Sequence, residues 1–345
     1  MFEHLAGNDE VKARLRRLLA MGRMPNALLF AGPEGIGKQA LAFELARAFV
    51  CTAPIDHEGC GDCSACRRVG TFIIPEPTEK NKDDFKRVFF GEHADVGKVV
   101  SYKRNILVDA IRELEKAANF RPYESAARVF VIDNAERMTE EASNALLKTL
   151  EEPPSTSFII LVTSRPDSLL TTIRSRCQTI RFCPLTPKEI EEFLLDCGRS
   201  ADDARIASRA AGGSLGLALS LDLKDFRERR DMLLAVLESA ALRGDLANML
   251  RAAEQLNDAK NKDRFEDSLA ILESLIRDAW LLANRAAPNM LTNIDLTERL
   301  SPIAAASAPA RIARWLEEID LLRQNLAVNI NRKIATDALF VEMAA

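Results

Sequence analysis

The stretch ALLFAGPEGIGKQ, Ala27 to Gln39, decides the fold. An apolar run of strand character, Ala27 to Phe30, leads into Gly32-Pro-Glu-Gly-Ile-Gly-Lys-Gln39, and apolar residues then return at helical spacing between Gln39 and Val50, as Leu41, Leu45 and Phe49. Strand, glycine loop and helix, in that order, is the context in which G-x-x-x-x-G-K-[ST] wraps backbone N–H groups around phosphate. Gly32, Gly35, Gly37 and Lys38 are therefore candidate phosphate-binding residues. The last position departs from the pattern. Gln39 carries an amide where a hydroxyl would ligate magnesium.

Further strand-length apolar runs follow at Val129 to Ile132 and Phe158 to Val162, with a weaker one at Thr179 to Phe182. Helical patterns at Ile106 to Ala118 and Thr139 to Glu151 lie between them. This alternation predicts an α/β domain with a parallel sheet covered on both faces. The run Val129 to Ile132 ends in Asp133, where nucleotide hydrolases place an acid beside magnesium. Asn134 follows, and an amide cannot take a proton from an attacking water.

Four of the seven cysteines, Cys51, Cys60, Cys63 and Cys66, are spaced C-x8-C-x2-C-x2-C in a glycine-containing loop. Four thiolates suit a tetrahedral zinc ion and leave no open position for substrate, so the expected site is structural. His57 lies inside the loop as a bystander, and Cys177, Cys183 and Cys197 are expected as small buried apolar residues. The charged stretch Glu79 to Arg87 reads as a solvated insertion, and the role of residues 79–104 is open.

A formal charge of −4 gives no global reason to bind nucleic acid unaided. No apolar run approaches membrane-span length, and MFEHLAGNDE lacks the features of a secretory signal, so a cytoplasmic location is expected. Pro184 and Pro187 mark a domain boundary. Two short helices, Pro187 to Leu195 and Ala201 to Ala210, end at Gly212-Gly213, and from about Leu223 the pattern is almost wholly helical. Leu269, Leu272, Ile276 and Trp280 form one apolar line at spacings of three and four, and Ile312, Trp315, Ile319 and Leu322 another. The division expected is 1–184, 185–222 and 223–345, with the cysteine module at 51–66.

The run NALLKTLEEPP from Asn144 to Pro154, then FIILVTS from Phe158 to Ser164, then TIRSRC from Thr172 to Cys177, strongly resembles bacterial DNA polymerase III clamp-loader subunits of the AAA+ type. The likeness also takes in Gly32 to Lys38, the four cysteines and the segment Ile106 to Arg112, so it is dense over about the first 185 residues. It implies an AAA+ P-loop domain with a zinc module, a small helical lid and an all-α collar. Within the family it implies that Arg176, in Ser-Arg-Cys, reaches the ATP of a neighbouring subunit, and that Thr163 with Ser164 sits at the sensor-one position. Gly216 stands where active members carry a sensor-two arginine.

Gln39, Asn134 and Gly216 are thus three separate departures, in metal ligation, water activation and phosphate sensing, while Arg176 is retained. They resemble the non-hydrolysing members rather than gamma or tau, and imply no intrinsic ATPase activity. Whether Gly32 to Lys38, with Asp133 and Thr163, still holds ATP stays open. The partners implied are gamma/tau and delta subunits in a hetero-oligomer and, through that complex, the sliding clamp and primed DNA, with no membrane. An active gamma/tau-like ATPase and a zinc-stabilised nucleic-acid-binding protein are the alternatives.

Overall fold

A computed structural model describes residues 2–258, 264–327 and 331–344. The chain divides into two compact units, Met1–Cys197 with Ala211–Leu219, and Gly198–Ala210 with Ser220–Ala345.

The first unit is built on a six-stranded sheet. Its strands are β1 (Ala27–Ala31), β2 (Phe89–Phe90), β3 (Val96–Val99), β4 (Arg128–Ile132), β5 (Ser157–Thr163) and β6 (Gln178–Arg181), in the spatial order β2-β3-β4-β5-β1-β6. Every pairing is parallel except β2 with β3. The helices of this unit are α1 (Asp9–Ala20), α2 (Lys38–Val50), α3 (Ser64–Arg68), α4 (Val108–Ala118), α5 (Glu140–Glu151), α6 (Thr171–Arg176) and α7 (Pro187–Asp196). Successive strand residues point to opposite faces. Leu28, Phe30, Val129 and Val131 pack on the side of α1 and α2, whereas Leu29, Phe130, Ile132 and Leu161 pack on the side of α4 and α5. Both faces are buried, as a parallel sheet requires.

The expected strands and helices are all present within a residue or two. What the sequence reading missed is β3. Residues 79–104 are not merely a solvated insertion: Phe85 is buried, and Val96–Val99 is an interior strand, completely covered and paired with β4. Gly97 is required there, since a Cβ would come 2.5 Å from Val88 Cγ1.

The second unit is all helical: α8 (Ala201–Ala210), α10 (Leu223–Glu238), α11 (Leu246–Asn257), α12 (Phe265–Ala283), α13 (Thr297–Ala306), α14 (Pro309–Ala327) and α15 (Arg332–Ala344); α9 (Leu215–Ser220) belongs almost entirely to the first unit. Leu269, Leu272 and Ile276 of α12 and Ile312, Trp315, Ile319 and Leu322 of α14 share one core. Trp280 departs from its expected line and is 36% exposed, because it sits in the last turn of α12 while the smaller Ala279 takes the buried position. The cysteine expectation is also corrected. Cys177 is buried, but Cys183 and Cys197 are exposed, in the connection after β6 and just past the end of α7. Among the described residues no helix is long and apolar enough to cross a membrane.

Candidate functional site

Because β1 lies between β5 and β6, its C-terminal end opens into the crevice where the strand order reverses, the usual ligand position in open α/β sheets. The glycine loop leaves β1 there and turns into α2. Glu34, Gly35, Gly37, Lys38, Gln39, Asp133, Asn134 and Thr163 line a pocket of about 360 Å³, and Gly32 lies on the neighbouring groove. The structure therefore brings the phosphate-loop candidates together with Asp133 and Thr163.

Their side chains are engaged with one another. Lys38 is buried, and its ammonium turns back on its own loop, donating to Gly32 O at 2.6 Å and to Pro33 O. Burial pushes the Lys38 pKa below that of an ordinary lysine, against the opposing pull of Glu136, Glu34 and Asp133. Asp133 is met by an ammonium from the neighbouring strand. Register places Val99 beside Ile132, and this brings Lys98 Nζ to 3.3 Å from Asp133 Oδ2. In the amide orientation that satisfies both neighbours, Gln39 accepts from Lys98 Nζ at 2.5 Å and donates to Asp133 Oδ2 at 3.3 Å.

Asn134 takes a left-handed conformation, φ 52°, which asparagine tolerates better than most residues, and the turn it begins delivers Glu136 to the end of β5. Thr163 Oγ1 donates to Glu136 Oε2 at 2.7 Å and Ser164 Oγ to Oε1 at 2.8 Å. Burial works to raise the Glu136 pKa, but these hydroxyls and nearby N–H groups outweigh it and hold the carboxyl below its usual range. The Thr163 hydroxyl is thus committed to a carboxylate. Gly216 N donates to Gly35 O at 2.8 Å. Gly35 has φ +71°, and a Cβ on it would come 2.1 Å from Ser214 Oγ, so the glycine loop is packed closely against the segment from Ser214 to Gly216. An ammonium beside the acid and an amide in place of the hydroxyl do not fit a magnesium ion.

Arg176 lies elsewhere, at the last position of α6, and is not among the residues lining the pocket. Its guanidinium is held by Glu151 Oε1 at 2.5 Å and by Thr172 O at 3.1 Å, with the side chain 34% exposed.

The four-cysteine cluster is assembled as its spacing predicts. The sulfurs of Cys51, Cys60, Cys63 and Cys66 all lie within 4.8 Å of one another, and His57 is outside the group. Backbone N–H groups point at the sulfurs: Cys60 N to Cys51 Sγ at 3.3 Å, Cys63 N to Cys60 Sγ at 3.3 Å, and Cys66 N to Cys63 Sγ at 3.4 Å. Burial acts to raise the Cys63 thiol, but hydrogen bonds from Cys66 and Thr52 bring it down to about 5, while burial pushes Cys66 up. Four convergent sulfurs with N–H support fit a tetrahedral metal ion.

Sequence reasoning missed Lys98, Glu34, Glu136 and Glu151. A lone lysine inside the apolar run Val96 to Val100 was the available signal for Lys98, and Glu34 lies within the glycine loop itself; Glu136 and Glu151 depend on contacts distant in sequence.

A model of the family described as "DNA polymerase III, delta subunit" matches residues 7–186. The chain is 31% identical over 324 residues to DNA polymerase III subunit delta' of Escherichia coli K12, covering 92% of this chain and 89% of that protein. It is 28% identical over 328 residues to the delta' subunit of Bacillus subtilis 168, covering 94% and 93%. Likeness to the gamma/tau subunit of Mycobacterium tuberculosis H37Rv, 33% identity, spans 219 residues, 62% of this chain and 35% of that protein. Similarity to the delta' proteins runs through both units, whereas that to gamma/tau covers 62% of the chain, and on this evidence the chain belongs to the DNA polymerase III delta-prime family of clamp-loader subunits.

Proposed function

We propose that this chain is a non-hydrolysing, stator-like subunit of the clamp loader, which lends Arg176 to the ATP site of a neighbouring gamma/tau subunit while the sliding clamp is placed on primed DNA. One contrast carries the reading. The chain's own pocket is engaged from within, Lys98 and Gln39 lying against Asp133 and Glu136 taking the Thr163 hydroxyl, while Arg176 stands one-third exposed outside it, restrained by one carboxylate and one carbonyl. A guanidinium is permanently charged and can place two N–H groups on phosphate oxygens, which suits it to stabilising charge that develops during phosphoryl transfer. An arginine supplied across a subunit boundary contributes roughly 10³-fold or more in the GTPase cases, so its donor need hydrolyse nothing.

In this reading Gly32, Gly35, Gly37 and Lys38 preserve the shape of a nucleotide loop, and the chain acts as a rigid member of a ring with gamma/tau and delta. The four cysteines hold structural zinc, since no ligand position is left for a reactant. Residues 1–184 supply the AAA+ part, 185–222 a lid and 223–345 a collar for oligomerisation.

The experiment is reconstitution with ATPase partners. Arg176→Ala should still assemble, yet lower the clamp- and DNA-stimulated turnover of the complex several-fold. Unchanged turnover would remove the basis of the proposal. Steady ATP hydrolysis by the isolated chain, abolished by Lys38→Ala, would instead establish an active ATPase.

A further inference from the structure

The misfit between this pocket and magnesium has a specific cause: the cation position is filled by the protein. We propose that the Lys98 ammonium is a resident substitute for the divalent metal, neutralising Asp133 with Gln39 as the bridging group and closing the pocket to divalent cations. This goes beyond the proposed lending of Arg176 and does not depend on it.

Three observations converge. Lys98 is 9% exposed and sits in an interior strand, a costly place for an ammonium unless it has a charged partner. Its partner at 3.3 Å is the acid at the end of β4, the position from which a metal would be held. Gln39, in the first turn of α2 where a metal-ligating hydroxyl is expected, lies between the two, and with its amide oriented to satisfy both it accepts from the ammonium and donates to the same carboxylate. Each of the two residue types that would ligate the ion is thereby paired with the cation that replaces it.

The charge immediately beside Asp133 opposes entry of a second cation. A divalent ion arriving beside Asp133 would face an ammonium already in contact with that carboxylate, and like charges at such separation repel strongly in a partly buried site. Repairing the loop motif alone should therefore fail to restore metal binding, because the obstacle lies on β3 and not in the loop.

Manganese serves as the probe, its binding followed by loss of the free-ion electron paramagnetic resonance signal, on the full chain with its cysteine cluster metal-loaded. Wild type and Gln39→Thr should take up no manganese at this pocket. The double variant Gln39→Thr with Lys98→Ala should gain one site, lost again when Asp133→Asn is added. Lys98→Ala alone should lower the unfolding midpoint by several degrees, and magnesium at matched ionic strength should restore part of it. Should Lys98→Ala prove too unstable to purify, Lys98→Met preserves the aliphatic bulk and serves in the same binding assay. Manganese uptake by Gln39→Thr alone, uptake by wild type that Asp133→Asn abolishes, or failure of the double variant to gain a site would each overturn the inference.

Discussion

The glycine-loop pocket and the four-cysteine cluster are two ligand-shaped places on the same unit, and they differ in how their charge is balanced. At the cluster, four sulfurs lie together with backbone N–H groups and no ammonium among them, so as thiolates they would need a bound cation for balance. At the pocket the cation is already present as Lys98, and Lys38 is tied to its own loop. The comparison teaches that a loop motif fixes the shape of a site, whereas the charged groups around it decide whether an external ion is needed.

The largest effect is expected where the balance is external. Cys63→Ser, or stripping the metal with a chelator, should destabilise the first unit by on the order of 5 kcal/mol, because binding energy at a structural site is folding energy. Metal analysis alongside the unfolding midpoint checks it. A full metal complement and unchanged midpoint in Cys63→Ser would erase the contrast.

A buried acid outside both places sharpens the comparison, since it is balanced mainly by backbone dipoles. Asp95 is fully buried and accepts from Tyr123 N at 2.7 Å, Glu124 N at 2.9 Å, and Ser125 N and Oγ at 3.0 and 2.9 Å. Burial acts to raise its pKa, but these donors outweigh it and the net direction is down. A carboxyl depressed in the folded state adds stability above its unfolded pKa and loses it as pH falls through the folded value. Wild type should therefore lose stability as pH drops below about 4, the ordinary aspartate range. Asp95→Ala should cost about 3 kcal/mol at neutral pH, with part of that acid sensitivity gone. Chemical denaturation at several pH values measures both.

Smaller again is the effect at the exposed edge. Glu151→Gln removes the charge holding Arg176 in the isolated chain, and an exposed ion pair is worth about 1 kcal/mol or less. Turnover of the reconstituted complex should change by less than about twofold, since Arg176 itself remains available. A collapse as severe as that of Arg176→Ala would mean that Glu151 positions the guanidinium for its task.

Much of the first unit was legible because its central strands, buried on both faces, read as continuous apolar runs and its helices keep a regular apolar period; β1, the glycine loop and α2 also occur consecutively. The cysteine cluster was legible for the same reason, three ligands falling within seven residues. The strand β3 was not, because Gly97 and Lys98 interrupt its apolar pattern and both have strand-weakening propensities. Its register against β4 makes Lys98 the partner of Asp133, a pairing across 35 positions that no local spacing encodes. Gln39 was legible as a departure, but the group it serves became visible only in the folded chain. Trp280, Cys183 and Cys197 show the converse limit, where local apolar character did not predict burial at the end of a helix or in a connection.

The most direct test of the central claim compares two variants in one reconstituted complex under clamp- and DNA-stimulated ATP turnover. Arg176→Ala is predicted to lower turnover several-fold while Lys38→Ala leaves it at the wild-type rate. Loss of turnover with Lys38→Ala and none with Arg176→Ala would contradict the account.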